Sequence, residues 1–90
     1  MRVEGEAIIC NDSGLHARPC HAVVALALEH AAELRVLCGD RDVGGKSILE
    51  LMTLGASKGA TLRFCAEGSD AEDLVAALVS LVESGFSGVS

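Results

Sequence analysis

Polar and apolar side chains alternate from Arg2 to Ile9, with Val3, Ala7 and Ile9 on one side and Arg2, Glu4 and Glu6 on the other. That period of two predicts a half-buried strand, because successive strand side chains point to opposite faces. The turn-forming run Asn11-Asp12-Ser13-Gly14 follows. From about Ala17 to Ala32 the chain carries helix formers without an internal glycine. Pro19 falls in the first turn of that helix, where its missing N–H had no partner to lose. The period of two returns from Glu33 to Cys38, with Leu34, Val36 and Cys38 on one side. Gly39-Asp40 then offers a two-residue hairpin into a short strand near Arg41 to Val43, which makes these two strands antiparallel neighbours.

Gly44-Gly45 ends that strand, and Lys46 to about Leu54 reads as a short apolar helix stopped by Gly55. Ser47 with Glu50 three residues on forms a capping box at its start. Thr61 to Glu67 alternates again, placing Leu62, Phe64 and Ala66 inward and Thr61, Arg63, Cys65 and Glu67 outward. Ser69 and Glu72 make a second capping box before a helix whose Leu74, Ala77, Leu78, Leu81 and Val82 follow one helical stripe, and Gly85 stops it. The order β-α-β-β-α-β-α, with every helix carrying one apolar face, predicts an α+β two-layer sandwich. One mainly antiparallel sheet has the helices on one side and water on the other.

Ninety residues, half of them hydrophobic, suit a single domain over 1–90 with a modest core. That core must be aliphatic, since Phe64 and Phe86 are the only aromatic side chains besides histidine. The net charge is -6 and the seven lysines and arginines are scattered, so neither a phosphate-tracking stripe nor stacking platforms exist for nucleic acid. The apolar runs are shorter than the roughly 20 residues of a membrane span, and Met1-Arg2-Val3-Glu4 lacks a signal profile. A soluble, cytoplasmic protein is expected. Cys10, Cys20, Cys38 and Cys65 form no C-x-x-C pair and lie in or beside apolar stretches, which reads as reduced, mostly buried thiols.

The chemistry concentrates in NDSGLHARPCH, Asn11 to His21. A helix beginning just after His16 leaves its first N–H groups unpaired, a small positive field suited to an anion. Pro19 donates nothing, so the usable donors are those of Ala17 and Arg18. A neutral imidazole is nucleophilic, and a phosphoryl group taken by His16 would sit against those donors with the Arg18 guanidinium in reach. On spacing alone, a polar residue at a helix boundary is the simpler account of a single histidine.

The runs SGLHARP and, about thirty residues later, GKSILELMTLGASKGATLRF change that balance. Together they closely resemble the histidine-containing phosphocarrier (HPr) family of the bacterial phosphoenolpyruvate-dependent phosphotransferase system, and the resemblance covers nearly the whole chain. It implies an open-faced sandwich with strand order 1-4-2-3. It also implies that His16 receives a phosphoryl group on Nδ1 from enzyme I and passes it to an EIIA-type acceptor domain. The chain would be a phosphoryl-transfer intermediate, not a self-contained enzyme. Arg18 would be the phosphate partner, and Pro19 the residue that fixes the turn at the helix start. Ser47 would be a regulatory phosphorylation site for an HPr kinase/phosphorylase. Ile48, Leu49, Leu51 and Met52, with Pro19, would belong to the docking surface. The resemblance implies no cofactor, no metal and a monomer. Sugar-uptake and nitrogen-related branches share the motif, and a second class of function, a regulatory binding module that docks through the same patch without carrying phosphate, would not need the imidazole.

Three positions depart from the family pattern: Cys20 where alanine is usual, His21 after it, and Glu50 one turn from Ser47. His16 and Cys20 have a spacing that can ligate zinc, but no second ligand pair is nearby, which favours a small buried thiol. His30, near the end of the first helix, is expected to be a C-terminal charge that complements the helix dipole. Glu50, as a capping-box partner, would place its carboxylate where a phosphate on Ser47 would go, and two anions there repel.

Overall fold

A computed structural model describes residues 1–87. The elements are β1 (Arg2–Ile8), α1 (Ala17–Leu28), β2 (Glu33–Cys38), β3 (Arg41–Gly44), α2 (Ile48–Met52), β4 (Thr61–Glu67) and α3 (Ala71–Glu83). The four strands form one sheet in the order β1-β4-β2-β3, and each neighbouring pair is antiparallel. Fold class, element order and strand order agree with the expectation from the sequence.

Register explains the layers. Phe64 at the middle of β4 faces Gly5 on β1 and Val36 on β2, while Leu62 faces Ala7 and Ala66 faces Val3 and Leu34. This face carries the buried apolar set, joined by Leu74, Val75, Leu78 and Val82 of α3 and by Val23, Val24 and Ala27 of α1. Gly5 admits α3 closely: a Cβ there would lie 2.6 Å from a Val75 methyl, so any larger residue would push the helix off the sheet. The other face carries the cross-strand pair Arg63–Glu6 and the pairs Arg35–Asp42 and Arg2–Glu4, all exposed and each worth little.

Several boundaries differ from the sequence reading. The first helix ends at Leu28 instead of continuing to about Ala32. The reason is a long-range clamp: the Asp70 carboxylate accepts hydrogen bonds from the Ala31 and Ala32 N–H groups at 2.9 and 2.8 Å, turning the chain into β2. The same clamp replaces the expected Ser69–Glu72 capping box. Asp70, not Ser69, is the N-cap of α3, and it makes no side-chain cap bond to its own helix. Past the end of α1, His30 complements the helix as a hydrogen-bond donor, with Nδ1 2.9 Å from the Leu26 carbonyl. At the far end of α3, the Gly85 N–H reaches the Val82 carbonyl and the Phe86 N–H that of Leu81, a Schellman closure that also buries Phe86.

Of the thiols, only Cys20 is buried; Cys10 is exposed and Cys38 and Cys65 are half-buried, so the expectation of mostly buried cysteines is corrected. Cys10 and Cys65 sit at a strand exit and on the open face, where pattern reading cannot separate partial from full burial. Among the described residues, no helix is long and apolar enough to cross a membrane.

Candidate functional site

His16 is the N-cap residue of α1, with extended backbone (φ -99°, ψ -165°). Its side chain is exposed and makes no capping bond. Proline in the first turn pre-sets the helical φ without costing a donor, so the helix starts cleanly here despite lacking a Ser, Thr, Asp or Asn cap. The first intrahelical bond runs from the Cys20 N–H to the His16 carbonyl at 3.0 Å. Neither the Ala17 nor the Arg18 N–H has a backbone partner among the described residues. No acidic residue occupies the first turn. Arg18 is exposed, and no carboxylate lies within ion-pair distance of it among the described residues. One imidazole, two open donors and one unpaired guanidinium thus share the first turn.

The loop before the helix is held at several points. The Gly14 N–H donates to the Asn11 carbonyl, closing a turn, and the Leu15 N–H donates to the Ala56 carbonyl at 2.9 Å. Gly14 has φ +66°, and a Cβ there would sit 2.6 Å from the Ala56 carbonyl oxygen, so glycine is required on both counts. Asp12 pairs with Lys58 at 3.0 Å across the same gap. From beneath, the Cys20 thiol lies 3.8 Å from the Leu15 carbonyl, a weak donation. Burial pushes that thiol up to about 11, so it stays protonated and is not poised as a metal ligand. His21, next in sequence, is exposed.

The second helix packs on the first. Ser47 caps it, its hydroxyl accepting from the Glu50 N–H at 3.2 Å. The expected capping box is only half formed. Glu50 does not return its carboxylate to the Ser47 N–H but accepts from the Gly44 N–H at 3.0 Å, tying α2 to the end of β3. Sequence spacing could not foresee this competitor, because the chain reversal at Gly44-Gly45 supplies it.

The apolar residues assigned to docking divide by burial. Leu49 is 79% exposed and Met52 45%, and Ile48 is half-buried. Leu51 and Pro19 are buried, which corrects their assignment to the contact surface: Leu51 points the opposite way round the helix from Leu49 and enters the core, and Pro19 is covered on folding. They support the surface from below. Sequence reasoning placed Asn11 in the turn but missed its side-chain bond to Gly14, and it missed Ala56 altogether. The Asn at the head of a turn was visible as a local hydrogen-bonding residue, whereas the partnership with Ala56 depends on a contact forty residues away.

A family model described as the PTS HPr component phosphorylation site matches residues 3–84. The phosphocarrier protein HPr of Borreliella burgdorferi is 42% identical over 82 residues, covering 91% of this chain and 95% of its own. The phosphocarrier protein NPr of Shewanella violacea is 33% identical over 85 residues, covering 94% and 93%. Among solved structures, an HPr from Thermoanaerobacter tengcongensis superposes with a TM-score of 0.88 at 39% identity, over 93% of this chain and 94% of that one. With an exposed histidine heading α1 of the sandwich and these relatives at near full length, the chain belongs to the HPr family of phosphocarrier proteins of the phosphotransferase system.

Proposed function

We propose that His16 is the residue that carries the phosphoryl group. The observation that supports this most is the open first turn of α1. The imidazole is exposed and uncapped, two N–H groups are unpaired, and Arg18 has no internal carboxylate to neutralise it. The Nδ1 lone pair attacks the phosphorus of a phosphohistidine on enzyme I. The new N–P bond forms as the donor's N–P bond breaks, and the bonding pair returns to the donor's imidazole. The Ala17 and Arg18 N–H groups and the Arg18 guanidinium offset the charge of the transferred group. Two backbone donors and one arginine hold a dianion loosely enough to be released to an EIIA-type acceptor. Docking uses Leu49 and Met52 on α2 beside the start of α1, through a small and transient contact. The first chemical test is incubation with phosphoenolpyruvate and enzyme I. One acid-labile, base-stable phosphate is expected in the intact mass, absent in His16→Ala. An unchanged mass under conditions that fully load another HPr would reject the carrier role and leave the binding-module reading.

We further propose Ser47 as a regulatory phosphorylation site. Glu50 anchored on Gly44 leaves the Ser47 N–H without the competing carboxylate that a complete capping box would put there. Incubation with an HPr kinase and ATP is expected to add an acid-stable phosphate that disappears in Ser47→Ala. Incorporation mapped to any other residue would exclude it.

A further inference from the structure

We propose that Asn11 is a positioning residue for His16, setting the angle at which the imidazole leaves the loop; this rests on the reading of His16 as the phosphoryl acceptor. The two residues are linked through a single carbonyl. The Gly14 oxygen accepts from the Asn11 side-chain Nδ2 at 2.8 Å and also from the His16 backbone N–H at 3.1 Å. The Asn11 backbone closes the same turn from the other side, its carbonyl accepting from the Gly14 N–H at 3.2 Å. The peptide between Gly14 and Leu15 is therefore held at both ends, its carbonyl by the Asn11 amide and its N–H by the Ala56 carbonyl. That orientation decides whether the His16 N–H is consumed inside the loop or competes with those of Ala17 and Arg18.

The amide's oxygen makes the case specific. Asn11 Oδ1 is buried and has no hydrogen-bond partner. An unpartnered buried acceptor is unfavourable, so the side chain's donation to Gly14 is its one polar return. Exchanging the amide's oxygen and nitrogen would bring two acceptors face to face at 2.8 Å, so the donor assignment is the physically consistent one. The Leu15 N–H fixes the other end of the same peptide on Ala56, while the ties of Asp12 to Lys58 and of Cys20 to Leu15 act elsewhere. None of them touches the carbonyl that receives the His16 N–H.

The discriminating experiment compares the unaltered protein with Asn11→Asp, which has nearly the same shape but presents an acceptor to the Gly14 carbonyl, and with Asn11→Ser, which keeps a short donor. With phosphoenolpyruvate and enzyme I and the carrier as varied substrate, Asn11→Asp is expected to lower kcat by about tenfold, since small misplacement of a reacting group is costly. KM should change by less than about twofold, and Asn11→Ser should recover part of the loss. In the unphosphorylated proteins, amide exchange at His16 should accelerate in Asn11→Asp while α3 amides stay protected, which general destabilisation would not produce. A variant with native kcat and native exchange at His16 overturns the proposal, as does an equal loss of protection throughout the molecule. If the unaltered protein takes up no phosphate at all, the carrier reading fails instead, and the exchange comparison still decides the role of Asn11 in the loop.

Discussion

The two long helices begin in opposite electrostatic conditions. At α3, Glu72 and Asp73 stand in the first turn, and the Asp70 cap carboxylate is committed to the Ala31 and Ala32 N–H groups. At α1, there is no acid in the first turn, no side-chain cap, and two N–H groups without backbone partners. A helix start is stabilised by negative charge. The protein supplies that charge itself at α3 and supplies none at α1. The contrast teaches that one fold can guard one helix start with acids and leave another open, and an open start is what the proposed transfer to His16 requires.

Closing the open start should break the contrast most strongly. Ala17→Asp places a carboxylate in the first turn of α1, where it satisfies the helix dipole and repels an incoming phosphoryl group. Acceptance of phosphate by His16 is expected to fall by about a hundredfold, while stability is unchanged or rises by about 0.3–1 kcal/mol. Stopped-time phosphorylation assays and chemical denaturation read the two effects separately. Loading at the native rate would mean that the open turn is incidental to transfer.

Gly14→Ala tests the loop that presents the open start. The substitution forces a left-handed backbone on an L side chain and drives its Cβ into the Ala56 carbonyl, so a loss of about 2–4 kcal/mol is expected on urea unfolding. The approach to α3 rests on a glycine as well, since Gly68 has φ +149° and a Cβ there would lie 2.7 Å from the Ala32 Cα, so the two starts differ in their charge and not in their need for close backbone approach.

The smallest effect belongs to the closed start and is read by pH. The Ala31 N–H, the largest cause, and the Ala32 N–H hold the Asp70 carboxyl below its ordinary value of 3.8, partial burial opposing them. A carboxyl whose folded pKa is depressed contributes stability that is fully present above the unfolded value and is lost as pH falls through the folded one. Thermal unfolding of the unaltered protein and of Asp70→Asn should therefore differ near neutrality and converge as the pH drops below about 4. A gap that persists at pH 2 would show that the clamp does not depend on charge.

Much of this arrangement was legible along the chain. The alternation of Val3, Ala7 and Ile9 and of Leu62, Phe64 and Ala66 placed those residues on the core side, where they are found, with Val3 only half-buried against the core. The Ala17-to-Pro19 run located the start of α1, because proline and the absence of acids act within a single turn. Local rules failed where distant groups competed for the same donor or acceptor. Asp70 took the N–H groups of Ala31 and Ala32 and shortened α1, and Gly44 drew Glu50 away from Ser47. Burial of Leu51 beside exposed Leu49 also lay beyond a reading of composition, since both are leucines on one short helix.

The amino-acid order by itself determined the element sequence, the apolar face of each element, and the pairing of a histidine with an arginine at an unguarded helix start. These follow from periodicity and from chemistry acting within a turn. Only the tertiary structure decided which hydrogen-bond donors stay free, which carboxylate holds which loop, and how Gly14 and Ala56 brace the loop that leads into His16. Those outcomes depend on groups far apart in the chain meeting at hydrogen-bond distance, and a buried polar group takes the partner that folding brings to it.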